Sequence, residues 1–293
     1  MSARGIRQEF IVDLREGKLS DIYEFVCDDD NLSLEIRKDY INIYYKGGNL
    51  LKIDNSEEVG KYSFEFDTEY CADEDTKKKI KSWKTADAFT RDNLIFLKDQ
   101  IDSWLAKDTA ERKFQHEALL NCKSIADIEY QVGGNKKGSY RIDMILLQND
   151  HVVLVENKSG IGSISSRISN SKELKAGIRK HYRDFVDLAT NPDKRKDLID
   201  SLNNIQKNKF DLMLIPEKKT VSQDAKIDFL FVLHDYNYES TLFSREVKDI
   251  KEEFGDSIDE YDTRVQFIGK NDTVEIDFDK ALSVFGELPV KMV

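Results

Sequence analysis

The segment Val152-Val-Leu-Val-Glu-Asn-Lys158 is an apolar run that ends in two charged residues around an asparagine. Four consecutive apolar residues predict a strand buried on both faces, which is typical of the centre of a sheet. Side chains on a strand alternate between its faces, so Leu154, Glu156 and Lys158 are expected on the same face. Charge is expensive at such a position unless it is paired or bound to a metal.

The preceding strand contains a similar anomaly, because Ile142 to Leu147 is apolar except for Asp143. A turn at 148–150 would pair the two strands and bring Asp143 close to Glu156. Two neighbouring carboxylates in a sheet repel each other, and a hard cation such as Mg²⁺ or Mn²⁺ removes that repulsion. Lys158 could then stabilise a phosphate transition state or orient the attacking water. A plain buried ion pair is the structural alternative.

The Glu-x-Lys pattern by itself carries little information, since the chain contains six copies of it. The copies begin at Glu16, Glu111, Glu156, Glu173, Glu217 and Glu246. Only the copy at Glu156 ends a strand that is apolar on both faces. The functional hypothesis therefore depends on the buried strand and its partner carboxylate, and not on the motif.

Composition places the chain among soluble globular proteins. Its 293 residues, 40% hydrophobic and 34% charged, suffice for one large domain or two modest ones. No apolar run approaches the ~18 residues of a membrane helix, and the N-terminus predicts no signal peptide. Three scattered cysteines and four unclustered histidines show no disulfide framework or zinc spacing. We therefore expect a cytoplasmic protein that does not bind membranes.

Charge is distributed unevenly along the chain. The net charge of −11 argues against a protein that simply coats nucleic acid. The window 130–190, however, contains ten Lys or Arg and six Asp or Glu, a local balance of 10 − 6 = +4. This balance fits either a phosphate-binding surface or a solvated helix face of mixed charge.

Two regions with different periodicity follow each other. Residues 5–26 read as a helix, and strands at 32–36, 40–44, 50–53 and 62–66 predict a small antiparallel module. A helix at 86–106 leads into the second region. There the pattern predicts helices at 109–122, 171–189 (capped by Asn170 and Glu173), 195–207 and 242–254. It also predicts strands at 127–132, 139–147, 151–157, 210–215, 227–233, 264–268 and 273–278, which makes an α/β layer arrangement.

The segment Tyr140-Arg-Ile-Asp143, twelve residues and then Glu156-Asn-Lys158, preceded by a helix and a strand, resembles the PD-(D/E)xK nuclease superfamily. The resemblance covers residues 109–235. It implies an α/β restriction-endonuclease-like core (helix, three strands, helix, strand around a mixed sheet) beside a small N-terminal α+β module. The corresponding domains are an N-terminal module at 1–84, a linking helix at 85–108 and a nuclease-like domain at 109–293.

The resemblance also implies site residues and a cofactor. Asp143 and Glu156 would bind Mg²⁺ or Mn²⁺, together with the backbone carbonyl of Asn157, and Lys158 would be the catalytic lysine. The family often adds a glutamate from the first core helix, and Glu117 matches that position. Glu111 competes for this role, and an exposed helix charge is the alternative for Glu117.

The sequence departs from the family pattern at two places. Ile142 replaces the proline of the motif. One exonuclease branch carries Gln-x-x-x-Tyr on the following helix, where this chain reads His181-Tyr-Arg-Asp-Phe185. His181 could take the glutamine position or be a surface histidine.

The expected partner is nucleic acid, with DNA favoured over RNA. Polar loops at 133–138 and 159–166 and the helix after them are expected to contact phosphates, although solvated connections are an equal explanation. The residues expected to do so are Lys136, Lys137, Arg167, Lys172, Lys175 and Arg179. The N-terminal module contains no chemical motif and could mediate a homo-oligomer or a larger complex. The hypothesis is a metal-dependent nuclease; its rivals are a non-catalytic binding module with this fold and a nuclease active only within a complex.

Overall fold

The computed structural model describes residues 3–55, 58, 60–105, 110–133, 139–148, 150–167, 174–236 and 241–286. Contacts divide the chain into two compact units. The N-terminal unit comprises residues 2–120 and 200–220, and the C-terminal unit comprises 121–199 and 221–293. This division differs from the expected ranges. The N-terminal unit also contains the helices around residues 100 and 115 and a later segment at 200–220.

The N-terminal unit contains a four-stranded antiparallel sheet in the order β1-β2-β3-β4. Its elements are α1 (Gln8–Arg15), α2 (Ser20–Cys27), β1 (Leu32–Ile36), β2 (Tyr40–Tyr45), β3 (Gly48–Asp54), β4 (Ser63–Glu65), α3 (Glu74–Lys81), α4 (Arg91–Leu105) and α5 (Ala110–Asn121), with 3₁₀ turns at Thr68–Tyr70 and Ala86–Ala88. Between β2 and β3, Lys46 (φ 49°) and Gly47 (φ 79°) form a two-residue hairpin loop. Two successive positive φ angles match the right-handed twist of the paired strands. The small antiparallel β module is confirmed.

The prediction of one helix at 5–26 is wrong, because two helices occupy this segment. α1 ends at Arg15, and the N–H of Leu19 bonds back to the carbonyl of Asp13. Gly17 lies so close to Asp13 that a Cβ there would stand 2.7 Å from its Cα. The apolar spacing continues across the turn, so periodicity alone did not reveal the break.

The C-terminal unit contains a six-stranded mixed sheet in the order β10-β9-β8-β7-β6-β5. Its elements are β5 (Ile125–Val132), β6 (Tyr140–Gln148), β7 (His151–Ser159), α6 (Ile178–Thr190), the start of α7 (Pro192–Asp211), β8 (Ile227–His234), α8 (Leu242–Phe254), β9 (Thr263–Ile268) and β10 (Leu282–Ser283), with 3₁₀ turns at Ile161–Ser163 and Gly255–Glu260. From residue 200 onwards α7 belongs to the N-terminal unit. β7 pairs antiparallel with β6 and parallel with β8. All seven interior residues of β7 are buried, which confirms the prediction of a central strand.

Two predicted strands are wrong. Residues 210–215 are not a strand, because α7 continues to Asp211 and Met213 then adopts a positive φ of 60°. Short apolar runs do not distinguish a strand from a helix end. Residues 273–278 form no strand either. They are an irregular segment in which the side chains of Val274, Ile276 and Phe278 are buried.

The helix predicted from residue 171 begins at Ile178 within the described residues, and residues 174–177 are not helical. Gly177 precedes the helix and packs directly against the peptide between Ser165 and Ser166. The predicted caps Asn170 and Glu173 lie outside the described residues. In the part of the chain that the structure describes, no helix is both long and apolar enough to cross a membrane.

Candidate functional site

The site is positioned by the register of β6 and β7. Their ladder runs from Gln148 opposite His151 to Met144 opposite Val155, and the next position in this register places Asp143 opposite Glu156. At this position the strands are joined by a side-chain hydrogen bond, because Oδ2 of Asp143 accepts the backbone N–H of Asn157 at 3.0 Å. The two carboxylates therefore occupy matching positions on adjacent strands.

Glu156 and Lys158 form a buried ion pair at the end of β7. The Nζ of Lys158 donates to Oε1 of Glu156 at 2.6 Å, and the two side chains are 10% and 3% exposed, respectively. Their backbones pair with Phe231 and Leu233 of β8, which holds this end of β7 in the sheet. Alternation along β7 gives Glu156 and Lys158 the same face, with Asn157 on the opposite one.

A third side chain, His181 of α6, completes this cluster. Its Nε2 lies 3.0 Å from Oε1 of Glu156 and 3.2 Å from Nζ of Lys158. Burial, with the positive charges of Lys158 and Lys180, lowers the pKa of His181 to about 3. The imidazole is therefore neutral near pH 7, and each ring nitrogen either donates or accepts. With its side chain 12% exposed, His181 is not a surface histidine.

Aromatic packing fixes α6 over this face of the sheet. Tyr182 meets Phe229 edge-on with ring centroids 5.5 Å apart, and Phe185 stacks on Phe231 at 5.9 Å. Both α6 side chains are fully buried. Because Phe231 is the β8 partner of Glu156, the same packing brings the first turn of α6 to the end of β7.

The sequence contained a signal for His181 that the motif comparison did not use. His181 follows Ile178 by three residues and precedes Phe185 by four, so it lies on the same buried side of the helix. Apolar spacing predicts that His181 is buried, but it does not identify the strand that the helix covers.

The arginines expected to contact phosphate are held by a carboxylate from α8. Arg167 donates to Asp249 through Nε at 2.9 Å and through Nη2 at 2.6 Å. Arg179 contacts the same carboxylate at 3.4 Å. The hydrogen bonds from Arg167 hold the pKa of Asp249 below its usual range. Arg167 nevertheless keeps about half of its side chain exposed, and its phosphate contact remains a prediction.

The other expected site residues lie elsewhere. Lys175 is exposed and donates to the carbonyl of Gly162 at 3.3 Å. Glu117 is exposed on α5, which belongs to the N-terminal unit, and its metal role remains a prediction. Three further lysines, Lys136, Lys137 and Lys172, lie outside the described residues.

The donor set suits a hard cation. Asp143 and Glu156 offer carboxylate oxygens, and Mg²⁺ is commonly bound through one or two carboxylates while waters and substrate phosphates complete its coordination. Across the described ranges there is no group of three or more His, Cys, Asp or Glu side chains that could hold a metal ion. A cation here would thus depend on two protein carboxylates, and one oxygen of Glu156 already accepts from Lys158.

Comparison with known proteins gives no relative: no family model matches the chain, and no curated protein or solved structure gives a significant match. What the fold and site define is an α/β protein with a mixed six-stranded sheet, whose central strand ends in a cluster of two carboxylates, a lysine and a histidine.

Proposed function

We propose that the protein is a metal-dependent nuclease that hydrolyses phosphodiester bonds of nucleic acid, with DNA favoured over RNA. The observation that carries this proposal is the matching position of Asp143 and Glu156 on adjacent strands, with Lys158 on the face of Glu156. The PD-(D/E)xK resemblance adds a restriction-endonuclease-like core to the proposal. The antiparallel β5-β6-β7 set and the parallel β7–β8 pair support that reading.

Asp143 and Glu156 would hold Mg²⁺ or Mn²⁺, with the Asn157 carbonyl and Glu117 as the further ligands that the resemblance implies. The bound ion would supply Lewis acidity and a more acidic water. Among the chain's own residues, Lys158 would donate to the phosphate oxygens as their charge develops. The N–H of Asn157 holds Asp143 in place, so its carboxylate needs little reorganisation.

Cleavage of DNA and of RNA by the purified chain in Mg²⁺ or Mn²⁺ tests the proposal. Asp143→Ala and Lys158→Ala should each lower the rate by at least about a hundredfold, the usual effect of removing one group that stabilises developing charge. Lys248→Ala is the matched control, because Lys248 ends another Glu-x-Lys copy and is exposed on α8. Equal activity in wild type and in both site variants would mean contamination and would remove the assignment.

A non-catalytic binding module is the second candidate, and the Glu156–Lys158 contact at 2.6 Å favours it. In this reading the pair is a structural ion pair that needs no cation. Calorimetry with Mn²⁺ separates the two functions. Binding that Glu156→Gln abolishes supports the nuclease, whereas no Mn²⁺ binding by the wild type supports the binding module.

A further inference from the structure

His181 shares its ring nitrogen between two groups of the candidate site. Within the described residues, the ammonium of Lys158 has two polar contacts, Oε1 of Glu156 at 2.6 Å and Nε2 of His181 at 3.2 Å. The Nε2 also lies 3.0 Å from the same oxygen of Glu156. The three groups thus form a triangle in which each one contacts the other two.

A cation at Glu156 would disturb this triangle. A carboxylate oxygen that coordinates a cation is a weaker acceptor for an ammonium group, and the two positive charges repel each other. Lysine has a flexible four-carbon stem, so Lys158 would be free to leave the site once it loses Glu156. Among the described contacts of Lys158, the other acceptor is Nε2 of His181, which accepts when the ring proton is on Nδ1.

The backbone around His181 suits it for a holding role. Ile178, the first residue of α6, donates its N–H to the carbonyl of Ile164. Tyr182, the residue after His181, is fully buried against Phe229 and Phe254. Such packing leaves the imidazole little freedom to follow a departing lysine. A rigid acceptor beside a mobile ammonium is the arrangement that keeps the ammonium in place.

We propose that His181 is a positioning residue, which holds Lys158 in the site while Glu156 binds the cation. This inference rests on the proposed metal-dependent function and adds to it a role for His181 that is argued from its contacts with Lys158 and Glu156. His181 does not need to touch the substrate; it acts through Lys158.

Two substitutions separate positioning from packing. His181→Phe keeps the ring and removes the polar nitrogen, whereas His181→Gln gives up the ring but carries an amide to about the position of Nε2. If His181 positions Lys158, His181→Phe lowers kcat by about 10- to 100-fold with little change in KM, as is typical for residues that orient a metal site, and His181→Gln retains most of kcat. His116→Phe is the control, because His116 is a half-buried histidine of the other unit.

The reverse order, with an active His181→Phe and an inactive His181→Gln, would show that the ring only fills space and would overturn the inference. Both variants matching wild type would overturn it as well.

A second measurement does not depend on cleavage. In ¹H–¹⁵N spectra of lysine ammonium groups, Lys158→Arg identifies the Lys158 signal. With saturating Mg²⁺ the signal should shift but persist in wild type and His181→Gln, and it should disappear in His181→Phe. This pattern without any cleavage would remove the proposed function and leave the positioning role standing. A wild-type Lys158 signal that does not shift when Mg²⁺ is added would contradict both the proposed function and the positioning role of His181.

Discussion

Each unit of the molecule contains a buried glutamate–lysine pair, and the two pairs match closely in geometry. In the N-terminal unit, Lys209 donates to Glu35 at 2.9 Å, and in the C-terminal unit Lys158 donates to Glu156 at 2.6 Å. In both pairs the lysine side chain is 10% exposed and the glutamate 3%. Burial and distance therefore do not distinguish a structural pair from a functional one.

The difference lies in what each pair connects. Glu35 of β1 and Lys209, in the last turn of α7, are 174 residues apart, so their bond joins distant segments of one unit. Lys209 also suits the negative end of the helix dipole. Glu156 and Lys158 are two residues apart on one strand, so their bond joins nothing that the backbone does not already join. A buried pair that does not tie distant segments together, and that lies beside Asp143 and His181, agrees with the role that we propose for it in the nuclease site.

The largest expected effect is on stability, and the two pairs should share it. Lys158→Ala and Lys209→Ala each leave a glutamate buried without its ion-pair partner, which should lower the free energy of unfolding by about 3–5 kcal/mol. Urea denaturation followed by circular dichroism measures both. Tryptophan fluorescence reports the unfolding of the N-terminal unit alone, because both tryptophans of the chain, Trp83 and Trp104, lie in that unit.

Replacing both partners sharpens this comparison. Glu35→Leu with Lys209→Met should recover most of the lost stability and leave cleavage unchanged, because no charge remains buried. Glu156→Leu with Lys158→Met should recover stability as well but not cleavage. If cleavage survives the second double replacement, the distinction between the two pairs is lost.

The next effect concerns pH and the histidine of the site. The pKa of His181 is about 3 in the folded chain against its ordinary value of 6.5, so the unfolded chain binds more protons as the pH falls. The stability that neutral His181 confers is complete above about pH 6.5 and is lost as the pH falls towards 3. Between pH 7 and pH 4, wild type should lose about 3 kcal/mol more than His181→Gln.

Urea titrations of both proteins in chelator, at several pH values, measure this difference. Parallel pH profiles would contradict the buried neutral state of the imidazole.

The smallest effect is stabilisation by metal. At a Mg²⁺ concentration of 100 times Kd, the free energy of unfolding of wild type should rise by about 2.7 kcal/mol, because the ion binds the folded state. Asp143→Asn should abolish the rise, and a chelator should reverse it in wild type. Glu35→Gln, in the matching pair of the other unit, should keep it. A rise that persists in Asp143→Asn but not in Glu35→Gln would reverse the roles given to the two pairs.

Much of the fold could be predicted where local pattern decides it. The alternating strands of the N-terminal sheet and the doubly buried β7 follow from residue spacing, because burial on one or both faces imposes its period on the sequence. Residues 210–215 and 273–278 have the apolar content of strands, yet one forms the end of α7 with the turn after it and the other an irregular buried segment. Apolar content predicts burial, and only the neighbouring segments decide whether a strand partner is available.

In the candidate site, too, some features follow from local sequence pattern and others depend on distant segments. Residue order predicts that Glu156 and Lys158 end a buried strand on one face and that Asp143 interrupts the strand before it, because pleating and hairpin register are local properties. The contact of His181 with these residues comes from the packing of α6 against β8, which residue spacing does not predict. The contact of Glu35 with Lys209 likewise comes from the tertiary structure, because no local pattern encodes a contact between residues 174 positions apart.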